Sequence, residues 1–417
     1  MRVLLLGGGG REHALGWKLA QSPLLTELIS APGNPGLASL GALADVNPVD
    51  PEAVAVFATD RDVDLVVIGP EAPLAAGVVD ALDAAGVPAF GPTASGAGLE
   101  ASKSHAKGVM ARAGVATAAA EVFVDVGAAT QHLDSIDAPY VVKADGLAAG
   151  KGVLVTDDLD AAKAWAAACL SGTFGDAGST VVIEDHLDGR EVSVFALVDG
   201  VRALPLAPAR DYKRLRDGDE GPNTGGMGSF SPVADLPDGL VGHTISGVIE
   251  PVLAVLAAEG ISYRGFLYAG LILTEEGTQV LEFNCRMGDP EAQAVLPRLD
   301  EDLLELLAAG ASGALPDRPL RWRDGAAVDV VLAAPGYPVA PETGLPITGT
   351  AQASERSDAL VFHAGTKWSD DQLVTAGGRV LNVVGLGDTV DAARTAAYTA
   401  ARDIEFAGMQ MRKDIGL

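Results

Sequence analysis

The chain has 417 residues, 48% of them hydrophobic, with 56 acidic against 29 basic residues and a formal charge of -27. That length exceeds one compact core, the apolar content excludes a disordered chain, and the acidity disfavours nucleic acid or an anionic membrane as partner, reading first as solubility while leaving room for a compact anionic metabolite in a local basic pocket. Two cysteines without disulfide or zinc spacing fit a reducing cytoplasm, and neither a signal peptide nor a run of about 18 uninterrupted apolar residues is expected.

The first hundred residues alternate short apolar runs with amphipathic stretches, the pattern of a parallel sheet covered by helices. Strands are expected at Val3 to Leu6, Asp64 to Ile68 and Pro88 to Phe90, each followed by a glycine that lets backbone approach a ligand. The run Gly7 to Ala14 follows the first strand and opens a helix. Counted from Gly7, the third glycine of the dinucleotide fingerprint falls at Glu12, where a carboxylate repels a pyrophosphate, so that fingerprint fails. The glycines alone fit either a tight strand-to-helix turn or a phosphate seat made by the N–H groups of Gly8, Gly9 and Gly10; Arg11 favours a phosphate monoester. His13, standing alone, reads as a packed helix residue.

A second unit begins near residue 121, with strands at Tyr140 to Lys143 and Val181 to Glu184 and an alanine-rich helix from Leu159 to Leu170. The loop from Ala144 to Val153 looks like a P-loop, but Gly152 stands where that motif needs Ser or Thr after Lys151. It reads instead as a mobile glycine-rich loop, bracketed by Lys143 and Lys151, that folds over triphosphate oxygens. Glu184 and Glu191 flank a linker and can accept hydrogen bonds from ribose hydroxyls. A third unit follows, with a strand from Val192 to Val198, a helix from Leu240 to Ala258, and strands from Phe266 to Leu273 and Val280 to Phe283 joined by a hairpin turn at Thr274 to Gly277. Alternation puts Glu282, Asn284 and Arg286 on one face and Phe283 and Cys285 on the other, setting an oxygen pair suited to magnesium beside a cation. From about Gly325 the chain is rich in Gly, Pro and short strands and shows no catalytic constellation.

In this order the pieces resemble the ATP-grasp superfamily and, within it, the glycinamide ribonucleotide synthetases. The resemblance rests on Gly9 to Ala14, Pro32 to Asn34, Gly69 to Leu74, Lys143 to Gly152, Gly221 to Gly228, Arg286 to Glu291 and His363 to Thr366, and covers nearly the whole chain. It implies an α/β protein of ATP-grasp architecture: an N-terminal parallel α/β domain (1–120), a small hinged ATP-lid domain (121–190), a central α+β domain with the metal site (191–324) and a C-terminal mostly β domain (325–417). The implied reaction joins glycine to 5-phosphoribosylamine through glycyl phosphate, with ATP as co-substrate and Mg2+ or Mn2+ as metal.

By the same resemblance Lys103, Lys143, Gly150, Lys151, Gly152, Glu184 and Glu191 bind ATP, Glu282 and Asn284 hold the metal, and Arg286, Lys213 and Asp211 serve catalysis. Gly8, Gly9, Gly10, Arg11, Glu12, Asn34, Glu71, Asp289 and Glu291 bind substrate. The implied protein is cytoplasmic, a monomer or weak homo-oligomer, with no nucleic-acid or membrane partner. Two departures stand out: Met287 replaces the expected Phe or Leu, and the strand before Glu282 carries no acid. Another ATP-grasp ligase such as a biotin carboxylase, or a nucleotide-binding regulator without turnover, are the competing readings.

Overall fold

The computed structural model describes every residue of the chain except 149–151 and 174. The N-terminal part is a five-stranded parallel sheet in the order Ala42–Leu43, Glu27–Pro32, Arg2–Gly7, Leu65–Ile68, Ala89–Phe90. Its first strand is a continuous apolar run because both faces are covered: Leu4 and Leu6 join one core cluster, Val3 and Leu5 the other. The chain leaves this strand toward one edge and later returns to its other side. The strand order therefore reverses beside Gly7 and Gly69, and the crevice at such a reversal is where open parallel sheets take ligands.

A four-stranded antiparallel sheet follows, in the order Ala120–Phe123, Val181–Glu184, Tyr140–Ala144, Val153–Thr156, backed by helices Val126–Leu133 and Leu159–Ala168. Leu133, Val142, Ala162, Ala166 and Ile183 form a core that, among the described residues, takes no member from elsewhere. The N-terminal and central sheets, by contrast, share both of their clusters. The separate core marks this stretch as a unit packed around its own side chains.

The central antiparallel sheet runs Ala203–Pro205, Arg190–Asp199, Arg264–Thr274, Gly277–Asn284. Its expected hairpin is present, closed by the Thr274 hydroxyl donating to the Gly277 carbonyl at 2.9 Å. An irregularity in the pairing at Gly270/Leu271 places Glu282 opposite Gly270 and Val280 opposite Leu271. This one-residue bulge changes the alternation, so Val280, Phe283 and Cys285 share the core while Glu282 and Asn284 turn to the cleft. The helix Leu240–Ala258 is long and apolar enough to cross a membrane, yet Ile249, Val252 and Leu256 are fully buried in the shared core. Pro251 has no N–H to give the preceding turn, and the chain passes through a π-helical turn at Ile245–Ile249 there.

The last sheet, antiparallel, runs Arg210–Asp211, Gly228–Ser231, Ala326–Ala333, Arg379–Gly387, Ala359–His363. Two of its strands come from the central stretch of sequence, so backbone hydrogen bonds stitch the C-terminal region onto the segment carrying Asp211 and Lys213.

Candidate active site

The strand-to-helix turn is built by close approach. A Cβ on Gly8 would stand 2.4 Å from the Gly33 carbonyl oxygen, and one on Gly10 would stand 2.2 Å from Asn382 Nδ2. Glu12 caps its own helix: its carboxylate accepts from the Gly9 N–H at 2.6 Å and from Arg11 Nε at 2.6 Å. Arg11 also donates to the Met287 carbonyl at 3.2 Å and is only 6% exposed. The guanidinium expected to reach out to a phosphate is therefore turned inward, since a buried arginine beside a buried carboxylate is held by it. The outward N–H groups of the first helical turn keep the anion-seeking character of any helix start. Asn34 donates to the Gly8 carbonyl at 2.9 Å and to the His363 carbonyl at 2.8 Å, tying the turn to the C-terminal sheet.

Arg286 is the junction of the site. It lies 3.3 Å from Glu71 and 2.8 Å from Glu100, and donates to Asn284 Oδ1 at 3.1 Å and to the Met287 carbonyl at 3.2 Å. Burial pushes the Glu71 carboxyl up, but Arg286 and Arg11 outweigh it and hold it below its ordinary value. Burial prevails at Glu100, which is raised. Asp289 is held low against burial by Arg379 and Arg11, and Glu291 accepts from the Ser193 hydroxyl at 3.0 Å.

On the other side of Asn284 the groups expected for ATP gather. Lys143 donates to Glu184 Oε2 at 2.7 Å, and Lys107 lies 3.4 Å from the other oxygen of the same carboxylate. Lys103 donates to the carbonyls of Asp145 at 3.4 Å and Gly146 at 3.1 Å. Glu282 faces this group: burial raises its carboxyl, but Lys213, Lys143 and Lys103 together hold it below the usual value. Lys213 is ion-paired with Glu191 and, despite burial, held well above the usual ammonium value by Glu191 and Asp211. Burial pushes Asp211 up to about 7 against the pull of Lys213. Gly152 is closed in, since a Cβ there would meet Ala148 Cβ at 2.6 Å. Gly150 and Lys151 lie outside the described residues.

Glu282 and Asn284 adjoin, with Asn284 Nδ2 3.4 Å from Glu282 Oε1, and Gly270 and Tyr268 stand opposite them. Among the described residues no three His, Cys, Asp or Glu side chains form a cation cage. One carboxylate and one amide oxygen fit a hard divalent cation whose other ligands are water and phosphate.

Glu100, Lys107 and Arg379 belong to the site but escaped the sequence reading. None of them lies in a run whose spacing points to a ligand, and only folding brings them beside Arg286, Glu184 and Asp289. The C-terminal region, which shows no catalytic constellation in its sequence, reaches the cluster through Arg379, which pairs with Asp289 at 2.9 Å. A separate cavity of about 630 Å3, lined by Val79, Ala89, Ile261, Arg264 and Ala311, contains none of these groups. The convergence of charge, rather than cavity size, locates the site.

Residues 1–100, 101–292 and 327–417 match, in turn, the N domain, the ATP-grasp (A) domain and the C domain of phosphoribosylglycinamide synthetase. The chain is 49% identical over 416 residues to the phosphoribosylamine-glycine ligase of Rhizobium meliloti (strain 1021), spanning 100% of this chain and 98% of that one. The crystal structure of the phosphoribosylamine-glycine ligase of Thermotoga maritima matches with a TM-score of 0.84 at 36% identity, over 99% of this chain and 100% of the other. The biotin carboxylase domain of the Hydrogenobacter thermophilus 2-oxoglutarate carboxylase shares the fold alone, with a TM-score of 0.74 at 18% identity over 98% of this chain and 91% of that one. Matched along its length in sequence and in architecture, the chain belongs to the phosphoribosylglycinamide synthetase family of ATP-grasp proteins.

Proposed function

We propose that the chain joins glycine to 5-phosphoribosylamine, converting ATP to ADP and phosphate and giving glycinamide ribonucleotide. One observation carries this reading at the level of the site: Arg286 touches Asn284 on the nucleotide side and Glu71 on the sugar side. An acyl phosphate formed on one side then lies where an amine held on the other can reach it.

The glycine carboxylate attacks the γ-phosphorus and ADP leaves. The amine of phosphoribosylamine attacks the acyl carbon of glycyl phosphate, phosphate departs, and the nitrogen gives up a proton. Little covalent chemistry falls to the protein, so its work is positioning and charge neutralisation. Lys103, Lys143 and Lys213 surround Glu282 and supply the positive field for the phosphates. Glu282 and Asn284 would hold Mg2+ or Mn2+, which when bound neutralises charge on the phosphate oxygens. Arg286, fixed on three sides, is assigned to steady the acyl phosphate.

Lys151 and Gly150 keep their assigned place in the ATP loop on the sequence resemblance. Gly8 to Glu12, Asn34, Glu71, Asp289 and Glu291 form the sugar-phosphate side, with the phosphate held chiefly by backbone N–H groups. On this reading residues 1–120 carry the sugar, 121–190 the lid, 191–324 the metal site and 325–417 the rear wall. Cys169 and Cys285 are free buried thiols, which supports a cytoplasmic setting.

The test is ADP formation by the purified full chain, with each substrate omitted in turn. Full turnover should need glycine and phosphoribosylamine together. ADP release at an undiminished rate without glycine, or with bicarbonate in its place, would reject the reading in favour of another carboxylate substrate.

A further inference from the structure

The glycine pair Gly225-Gly226 lies in a run whose chemistry is not explained by any side chain of its own. Its surroundings explain it. A Cβ on Gly225 would stand 3.0 Å from Arg379 Cζ, and one on Gly226, at φ +107, would stand 2.3 Å from Pro290 Cδ. The Gly225 peptide is gripped at both ends from the C-terminal region: its N–H donates to the Tyr337 hydroxyl at 2.8 Å, and its carbonyl accepts from Arg379 NH1. The same guanidinium donates to the Asp289 carbonyl at 2.6 Å and pairs with the Asp289 carboxylate at 2.9 Å.

The other Asp289 oxygen accepts from Gln293 Nε2 at 2.8 Å, so the carboxylate is fixed on two sides. A Cβ on Gly9 would lie 3.6 Å from Asp289 Oδ2, so the fixed carboxylate looks onto the N-terminal turn. Arg379 thus ties together the glycine turn, the Asp289 loop and, through Asp289, the floor on which the sugar phosphate is assigned. It is four-fifths buried and Asp289 is similarly enclosed, with side-chain exposures of 20% and 17%. Three charge-assisted or short hydrogen bonds in such a setting hold geometry far better than surface pairs do.

We propose that Arg379 and Tyr337 are positioning residues for the phosphoribosylamine subsite, acting through Gly225 and Asp289 without touching ATP or glycine. This rests on the ligase reading above. A C-terminal region with no chemistry of its own is then required for recognition of one substrate, because its Arg379 is the side chain that joins the Gly225 turn to the Asp289 loop.

The test uses the full chain with Arg379→Ala, Arg379→Lys and Tyr337→Phe. The last keeps the ring that packs against Gly378 and removes only the hydroxyl to Gly225. Melting temperature is measured first, then KM for each of the three substrates. Arg379→Ala should raise KM for phosphoribosylamine roughly tenfold or more, the scale of losing a charge-assisted hydrogen bond, with KM for ATP and glycine within about twofold. Lysine should restore part of the loss, and Tyr337→Phe should move the same constant in the same direction by less. If Arg379→Ala does not fold, the other two variants decide. An equal rise in all three constants, or none, overturns the proposal. Absence of glycine-dependent turnover in the wild-type chain would sink the ligase reading instead, and is seen before any variant is made.

Discussion

On the proposed ligase reading, Glu282 is the residue on which the chemistry depends most directly. Burial raises its carboxyl, and Lys213, Lys143 and Lys103 outweigh that and hold it below its ordinary value, which favours the charged form that a cation surrounded by phosphate anions calls for. Glu282→Gln keeps the shape and the hydrogen bond from Asn284 but removes the charge. The variant should fold with an unchanged melting temperature and lose turnover by at least roughly a hundredfold, comparable to deleting one preorganised electrostatic group. Single-turnover ADP formation across a magnesium titration checks this, and a rate near wild type at saturating metal would remove Glu282 from the metal site. The same-face alternation of Glu282, Asn284 and Arg286 was legible because the bulge falls just before them, at Leu281, and leaves the period of two intact from Glu282 onward.

At the scale of elements, the first helix shows how a local cap and a distant contact become one device. Glu12 satisfies the Gly9 N–H and neutralises Arg11, and Gly7 and Gly69 must lack side chains because a Cβ on either would stand about as close as 2.5 Å or 2.4 Å to Glu12 Cγ. Glu12→Ala opens a helix end and takes from a buried guanidinium its nearest carboxylate, leaving the Met287 carbonyl and the more distant Glu71, which costs about 3 kcal/mol. Urea unfolding followed by far-UV circular dichroism measures it; a loss under about 1 kcal/mol, the range of a surface pair, would show that the pair is not needed. The sequence marked this turn as a close approach of strand and helix, and the structure shows Glu12 folded back onto the Gly9 N–H. It did not reveal that Arg11 faces inward, because the carbonyl of Met287 that receives it lies 276 residues away in the chain.

The whole molecule is held shut at the rear by contacts between its two ends. His363 N–H donates to His13 Nδ1 at 2.7 Å, and the ring of His13 packs edge-on against Phe362. Burial, and the neighbouring His363, lower His13 to about 3. Burial lowers His363 to about 4. Both rings are therefore neutral when folded, while in the unfolded chain each takes a proton near 6.5. The unfolded state binds more protons below that value, so the stability these rings provide is present above about pH 6.5 and is lost as pH falls toward 4 and then 3. His13→Asn offers an oxygen in place of Nδ1 and has no proton to gain. Its urea midpoint should fall less than that of the wild type between neutral and acid pH, and parallel curves would contradict the buried-neutral assignment.

What the sequence determined by itself were the features written in neighbouring residues: three of the five N-terminal strands and the glycine after each, the hairpin at Thr274, the Glu282 alternation and, through several distinct runs, the family. Local sterics and the period of side chains decide those, and both are properties of a few consecutive residues. Tertiary structure alone decided that Glu100 pairs with Arg286, Lys107 with Glu184 and Arg379 with Asp289, that Arg11 is turned inward, and that the strands at Arg210 and Gly228 complete a sheet with the C-terminal region. The ion pairs depend on burial bringing together charges from distant segments, which must then pair or be left uncompensated in a low-dielectric interior, and the sheet depends on strand edges far apart in sequence meeting. That pressure acts on the folded surface as a whole and leaves no periodic trace in the chain.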